Sequence, residues 1–154
     1  MNSIGVDFNH GGYGLRKDNG WDGLKIIRPE SPLLKNTGLE FNQILKLPSS
    51  EYDGALLCFS NDSTVVELEN KFSFYKYELI GYDFGSRQSI SNGAWVILQR
   101  KANSGAIINT ASTDWCSKSG MSGEDSRIIK KTTLNMIELL LQDDKKLFTT
   151  KKMK

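Results

Sequence analysis

Residues 105–142 decide the fold, and they read GAIINTASTDWCSKSGMSGEDSRIIKKTTLNMIELLLQ. The apolar run Gly105–Ala111 predicts a strand, which pairs as a hairpin with the preceding run Ala94–Arg100. A polar loop follows over residues 112–122. The segment therefore predicts a strand, a turn at Asp114 and Trp115, and a helix that packs back over the sheet.

The helix is the clearest single element of the sequence. The stretch Ser122–Asp125 offers an N-cap with acids in the first turn, and the helix ends near residues 142–144. Its apolar stripe predicts broad packing against a sheet. The stripe consists of Ile129, Thr133, Met136, Ile137 and Leu140, widened by Ile128, Leu134 and Leu141.

Further strands are predicted upstream of this segment. They cover Leu24–Arg28, Ala55–Phe59, Thr64–Glu69 and Tyr75–Tyr82. The run Ala55–Phe59 is apolar throughout, as in a strand covered on both faces, and the next run alternates like its hairpin partner. The fold class predicted is α/β, a mixed, β-rich sheet with a long C-terminal amphipathic helix packed on it.

The chain of 154 residues has the size of one domain, residues 1–154, with no internal repeat or linker. Residues 1–23 form a loop-rich start, because glycines dominate residues 9–23 and apolar periodicity is almost missing. Such a start indicates the C-terminal part of a larger ancestral domain. Residues 145–154 form a basic tail, interpreted either as a solvated tail or as a phosphate- or membrane-binding one.

Charge and hydropathy limit the classes of partner that the sequence indicates. Twenty basic and 18 acidic residues give a net charge of +2, too balanced for a nucleic-acid footprint. No run approaches the roughly 20 apolar residues of a membrane span, and no secretory signal is recognisable. These patterns predict a cytoplasmic protein that binds neither nucleic acid nor membrane.

The first candidate site is the predicted strand end at Asp114 and Trp115. Asp114 could act as an acid or base and Trp115 could wall a ligand pocket. Alternatively, Ser112 or Asp114 accepts hydrogen bonds from loop backbone donors while Trp115 plugs the end of the sheet.

Three further groups of residues are candidates. Glu51 and Asp53 stand at i and i+2, a spacing suited to a cation or to paired acid/base chemistry, although Asp53-Gly54 also reads as a plain turn. His10, the one histidine, could serve a ligand or metal, or lie idle on the surface. Cys116 is a structural residue or a reactive thiol, and Cys58 a core residue.

Several stretches together resemble the closing part of the N,N-dimethylformamidase large-subunit family. They are Trp21–Leu24 leading to Ser31–Leu39, then Glu51–Gly54, then Gly105–Trp115 followed by Thr133–Ile137. In that family similar segments form a "GTGL" turn, a "GYE-x-DG" turn and an "aGT-x-W" strand end before a helix. This chain departs from the pattern at Asn36 and at Ala111-Ser112.

The resemblance implies an amidohydrolase lineage with a three-layer domain similar to glutamine amidotransferases. It also implies a mononuclear iron held by tyrosines and a carboxylate, with Glu51 as the matched acid and Asp114-Trp115 at the matched strand end. The upstream half of the family's domain, where the tyrosine ligands are expected, has no counterpart here. A homo-oligomer or a partner subunit that supplies the missing half is therefore expected.

The sequence is compatible with two functions. In the first, Glu51 and Asp114 share a cleft and act on a small amide substrate. In the second, the chain is a non-catalytic ligand-binding or protein-interaction domain, with Trp21 and Trp115 forming an aromatic-walled surface.

Overall fold

A computed structural model describes residues 4–13, 21, 23–47, 49–60, 65–68, 74–84, 91–142 and 144–149. The strands are β1 Asp7–Tyr13, β2 Leu24–Ile26, β3 Ile44–Leu45, β4 Glu51–Gly54, β5 Leu57–Phe59, β6 Val65–Leu68, β7 Lys76–Phe84, β8 Asn92–Gln99 and β9 Ala106–Asn109. The α-helices are α1 Lys118–Ser122 and α2 Ser126–Gln142, and short 3₁₀ turns cover Pro32–Leu34 and Asp144–Leu147.

A five-stranded sheet in the order β3-β2-β7-β8-β9 forms the centre of the fold. Every pairing within it is antiparallel. All eight residues of β8 are buried, because β7 and β9 flank the strand and both of its faces are covered. The predicted β8–β9 hairpin is confirmed, with Val96 opposite Asn109.

The two faces of this sheet bury separate apolar clusters, because successive side chains of a strand point to opposite sides. Trp95 and Ile97 of β8 pack with Ile129 and Met136 of α2. The opposite face of the sheet packs against the segments around β1, β4 and β5. The cluster that they form together consists of Val6, Ala55, Leu57, Phe74, Leu79, Tyr82, Ala94, Val96 and Leu98. The mixed α/β class with a C-terminal helix on a β-rich sheet is confirmed.

The loop prediction for residues 9–23 was wrong at its start, where β1 pairs antiparallel with β4. A Cβ atom on Gly11 would lie 1.9 Å from the carbonyl oxygen of Tyr52, so glycine is what lets the two backbones approach. The glycines that are typical of a loop here allow close contact between two strands. Residues 14–20 lie outside the described part of the chain.

The prediction that Ala55–Phe59 is a strand covered on both faces needs correction. The strand β5 is shorter, and the Phe59 side chain is 54% exposed. Its predicted hairpin with the following run is confirmed by the antiparallel pairing of β5 and β6. Cys58 is half-buried and does not belong to either buried cluster, contrary to its interpretation as a core residue.

The helix α2 ends at Gln142 as predicted, but its start and its stripe differ. It begins at Ser126, and the Asp125 carboxylate just before it accepts a hydrogen bond from the Lys46 backbone N–H. The buried positions of α2 are Ile129, Thr132, Asn135 and Met136. Four predicted core residues point outward instead, namely Leu134, Ile137, Leu140 and Leu141.

The beginning of the predicted basic tail belongs to the core. Leu147 is fully buried beside the helix side of the sheet, and the Thr149 hydroxyl donates a 2.7 Å hydrogen bond to the Glu78 carboxylate. Residues 150–154 lie outside the described part. Within the described residues, none of the helices has the length and apolar character needed to cross a bilayer.

Candidate functional site

The loop after β9 is bound to β4 through its backbone. The Asp53 N–H donates to the carbonyl of Ala111 at 2.8 Å, and the Thr113 N–H donates to the carbonyl of Glu51 at 3.2 Å. Ala111 adopts a φ of 66°, a left-handed conformation that a non-glycine residue rarely takes, and this turns the chain back towards β4. Two predicted site segments, around Glu51 and Asp114, thus meet at one corner of the fold.

The Asp114 carboxylate at this corner is occupied by hydrogen bonds. Its Oδ2 accepts from the backbone N–H of Ser50, and from the Ser49 hydroxyl at 3.5 Å, while its Oδ1 accepts from the Ser117 hydroxyl at 2.9 Å. Partial burial raises the pKa of Asp114, but these bonds from Ser50, Ser117 and Ser49 outweigh it and hold the pKa below its usual value. Asp114 therefore acts as an ionised clamp between the loop and β4.

The two tryptophans proposed as ligand walls are largely buried. Trp21 is 7% exposed and packs edge-on against Tyr52, with ring centroids 5.1 Å apart. Trp115 is 4% exposed, lies 5.0 Å from the Trp95 ring, and donates from Nε1 to the Thr133 hydroxyl at 2.9 Å. Trp115 thus plugs the end of the sheet, and its ring reaches only the floor of a neighbouring groove.

His10 sits in β1 and is half-buried. Its Nδ1 lies 2.7 Å from a carboxylate oxygen of Asp7, which also accepts from the His10 backbone N–H. Across the ladder, burial and then the negative charge of Asp7 raise the pKa of Asp53. Sequence reasoning missed Asp7, because its position three residues before His10 looks like part of a loop.

The Tyr52 hydroxyl, next to Glu51, is already engaged in a hydrogen bond. Tyr52 donates its hydroxyl to the carbonyl of Leu47 at 2.9 Å, and burial, followed by the charges of Asp83 and Asp114, raises its pKa well above the usual value. A neutral phenol held in this way is a poor metal ligand. Within the described ranges, no three His, Cys, Asp or Glu side chains converge as metal ligands.

An open groove of about 450 Å³ lies beside these residues, between the end of β9 and α2. We call it the α2 groove. It is lined by Ile108, Asn109, Thr110, Ser112, Thr113, Trp115, Cys116, Thr133, Met136, Ile137 and Leu140. Its lining is mostly apolar along the helix, with a few polar groups at the β9 end. Cys116, exposed at its edge, was predicted to be either structural or reactive.

Replacing Asp114 with asparagine is expected to lower the free energy of unfolding by about 1 kcal/mol at neutral pH, because one carboxylate acceptor becomes a donor. The lowered pKa in the folded state means that the ionised group stabilises above its unfolded pKa of 3.8 and that this stabilisation is lost as pH falls. Urea unfolding of the variant should therefore depend less on pH in the acidic range.

The Asp53→Asn variant is the matched control for that measurement. The pKa of Asp53 is raised, so its charge opposes folding at neutral pH, and removing the charge should leave stability unchanged or slightly higher. Equal losses in both variants would contradict the clamp assigned to Asp114.

Comparisons with family models, curated proteins and solved structures find no match to this chain.

Proposed function

We propose that this chain is a non-catalytic binding domain that holds an apolar group of its partner in the α2 groove. The carrying observation is the groove itself, in which Ile137 and Leu140 present apolar surface beside a strand at the edge of the sheet. Its volume of about 450 Å³ falls in the range of sites that hold small ligands or side chains.

The exposed side chains around the groove support this proposal. Leu134, Ile137 and Leu140 are 55%, 48% and 46% exposed, and Leu141 is 81% exposed. Four large apolar side chains on two turns of one helix make a contiguous patch, which water solvates poorly and a partner covers favourably. Thr110 and Thr113 line the other end of the groove and make that end more polar, which would help to fix the orientation of what binds.

A second candidate is the amidohydrolase implied by the family resemblance, together with its three-layer domain and its iron. One observation favours it, namely that backbone hydrogen bonds bring the segments of Glu51 and Asp114 to one corner. The occupied Asp114 carboxylate weakens it, because a general base must have a lone pair free to accept a proton.

Hydrolysis of a small formamide, measured together with elemental analysis of the purified protein, separates the two candidates. The binding domain is expected to be inert. Bound iron together with hydrolysis that the Glu51→Gln substitution abolishes would favour the enzyme and contradict the binding domain.

Replacing Leu140 with aspartate is expected to weaken binding of the apolar dye 1-anilinonaphthalene-8-sulfonate about tenfold, because a charge at the groove is costly to desolvate. Fluorescence titration at low protein concentration measures this. Leu56→Asp is the matched control, since Leu56 is 41% exposed and lies outside the groove lining.

The thiol of Cys116 gives an independent readout in a Cys58→Ala background. Because Cys116 lines the groove, saturating dye should slow its alkylation. Equal dye binding by the Leu140 and Leu56 variants, or an unchanged alkylation rate, would contradict the proposed site. A cytoplasmic location is part of this proposal.

A further inference from the structure

The helix α2 has a second apolar face that the core does not use. Leu134, Ile137 and Leu141 follow one another at i, i+3 and i+7, and all three side chains are exposed. This spacing places them in one line along the helix, which we call the outer stripe. Leu140 and Thr133 flank the stripe on the side of the α2 groove, so the stripe and the groove form one continuous surface.

The charges of α2 are arranged against its own dipole. Arg127, Lys130 and Lys131 lie in its first half and Glu138 in its second, and no basic residue occupies its last turn. Cations stabilise a helix at its C-terminus and acids at its N-terminus, so this order is unfavourable for an isolated helix. A second helix that runs in the opposite direction turns the same order into an attraction.

We infer that the outer stripe pairs antiparallel with the outer stripe of a second copy of this chain, which also covers the α2 groove. This inference rests on the proposed function and names the partner that the groove receives. A two-fold axis between the helices sets Leu134 opposite the partner's Ile137. The same axis brings Lys131 beside the partner's Glu138 on one flank, and the symmetric pair forms as well.

A parallel arrangement of the two helices does not fit these charges. It would place the basic first halves of both copies side by side and leave Glu138 away from the partner's Lys131. The antiparallel pair gives two ion pairs at the edge of an apolar strip, which sets direction and register more than affinity.

Sedimentation equilibrium of the full chain tests this inference through charge reversal. Lys131→Glu and Glu138→Lys, each alone, should weaken dimerisation about tenfold, because each creates two like-charge contacts across the axis. The double variant restores both pairs and should dimerise within about threefold of the original chain. Lys101→Glu, at an exposed position outside α2, is the matched charge-reversal control and should change nothing.

The outcomes distinguish a failure of the dimer from a failure of the proposed binding function. A chain that is monomeric at all concentrations, or a double variant no better than the worse single one, would overturn the antiparallel dimer. If the Leu140→Asp substitution still weakens dye binding in such a monomer, the proposed binding function survives and only its occupant is wrong. If the chain is monomeric and Leu140→Asp does not weaken dye binding, both the dimer and the proposed binding function are contradicted. Circular dichroism of every variant verifies that α2 is intact.

Discussion

Replacing Trp95 with alanine is expected to lower the free energy of unfolding by about 3–5 kcal/mol, the largest effect of any change considered. Trp95 is fully buried in the central strand β8, and its ring lies 5.0 Å from that of Trp115. Its removal leaves a cavity between the sheet and α2 that the rigid strand cannot close. Urea denaturation followed by far-ultraviolet circular dichroism measures the loss.

Two companion variants sharpen this prediction. Trp95→Phe keeps most of the packing, and the Trp95 indole N–H has no hydrogen-bond partner among the described residues, so the loss should be clearly smaller. Phe41→Ala, at a residue 54% exposed, should change stability by less than about 0.5 kcal/mol. Similar losses for Trp95→Ala and Phe41→Ala would contradict the place of Trp95 in the core.

Replacing Asn135 with alanine is expected to cost about 2–4 kcal/mol, because it leaves two carbonyl groups without their donor. The Asn135 amide donates hydrogen bonds of 2.9 Å to the carbonyl of Leu33, inside the 3₁₀ turn Pro32–Leu34, and to that of Lys35, which caps the turn. The asparagine side chain therefore fastens α2 to a segment about one hundred residues earlier in the chain.

Thermal and urea unfolding of Asn135→Ala give the magnitude. Asn103→Ala, which removes an exposed amide in the turn before β9, serves as its control and should be neutral. A neutral Asn135→Ala would show that water replaces the amide at both carbonyls and that the turn is not anchored to α2.

The elements that could be predicted from sequence are those whose signal is local. The β8–β9 hairpin and the C-terminal end of α2 follow from short apolar runs and helical spacing, both of which lie within a few residues. The strand β1 could not be predicted in this way, since its glycines serve contact with Tyr52, forty residues away. The local sequence pattern likewise does not predict that β2 pairs with β7, where Lys25 lies opposite Tyr82.

For Asp114 and Trp115 the sequence offered two alternatives, and the contacts agree with the one in which Asp114 accepts hydrogen bonds from the backbone and Trp115 plugs the end of the sheet. Asp114 lies at the strand end as expected, yet its main donor is Ser50, and no spacing rule connects two residues 64 positions apart. The helix stripe shows a related limit. Because α2 is apolar on two sides, hydrophobic spacing alone could not separate Met136, which is buried, from Ile137, which is exposed.

The pairing of β2 with β7 has a consequence for folding during translation. The ribosome releases the first strands long before Tyr82, the residue that faces Lys25, has been synthesised. The pairs β2–β3, β1–β4 and β5–β6 need only residues that have already emerged, so they can form before β7 is made. The strand β2 then waits for β7, and a nascent chain that stalls before Tyr82 lacks the strand that joins its N-terminal pairs to the central sheet.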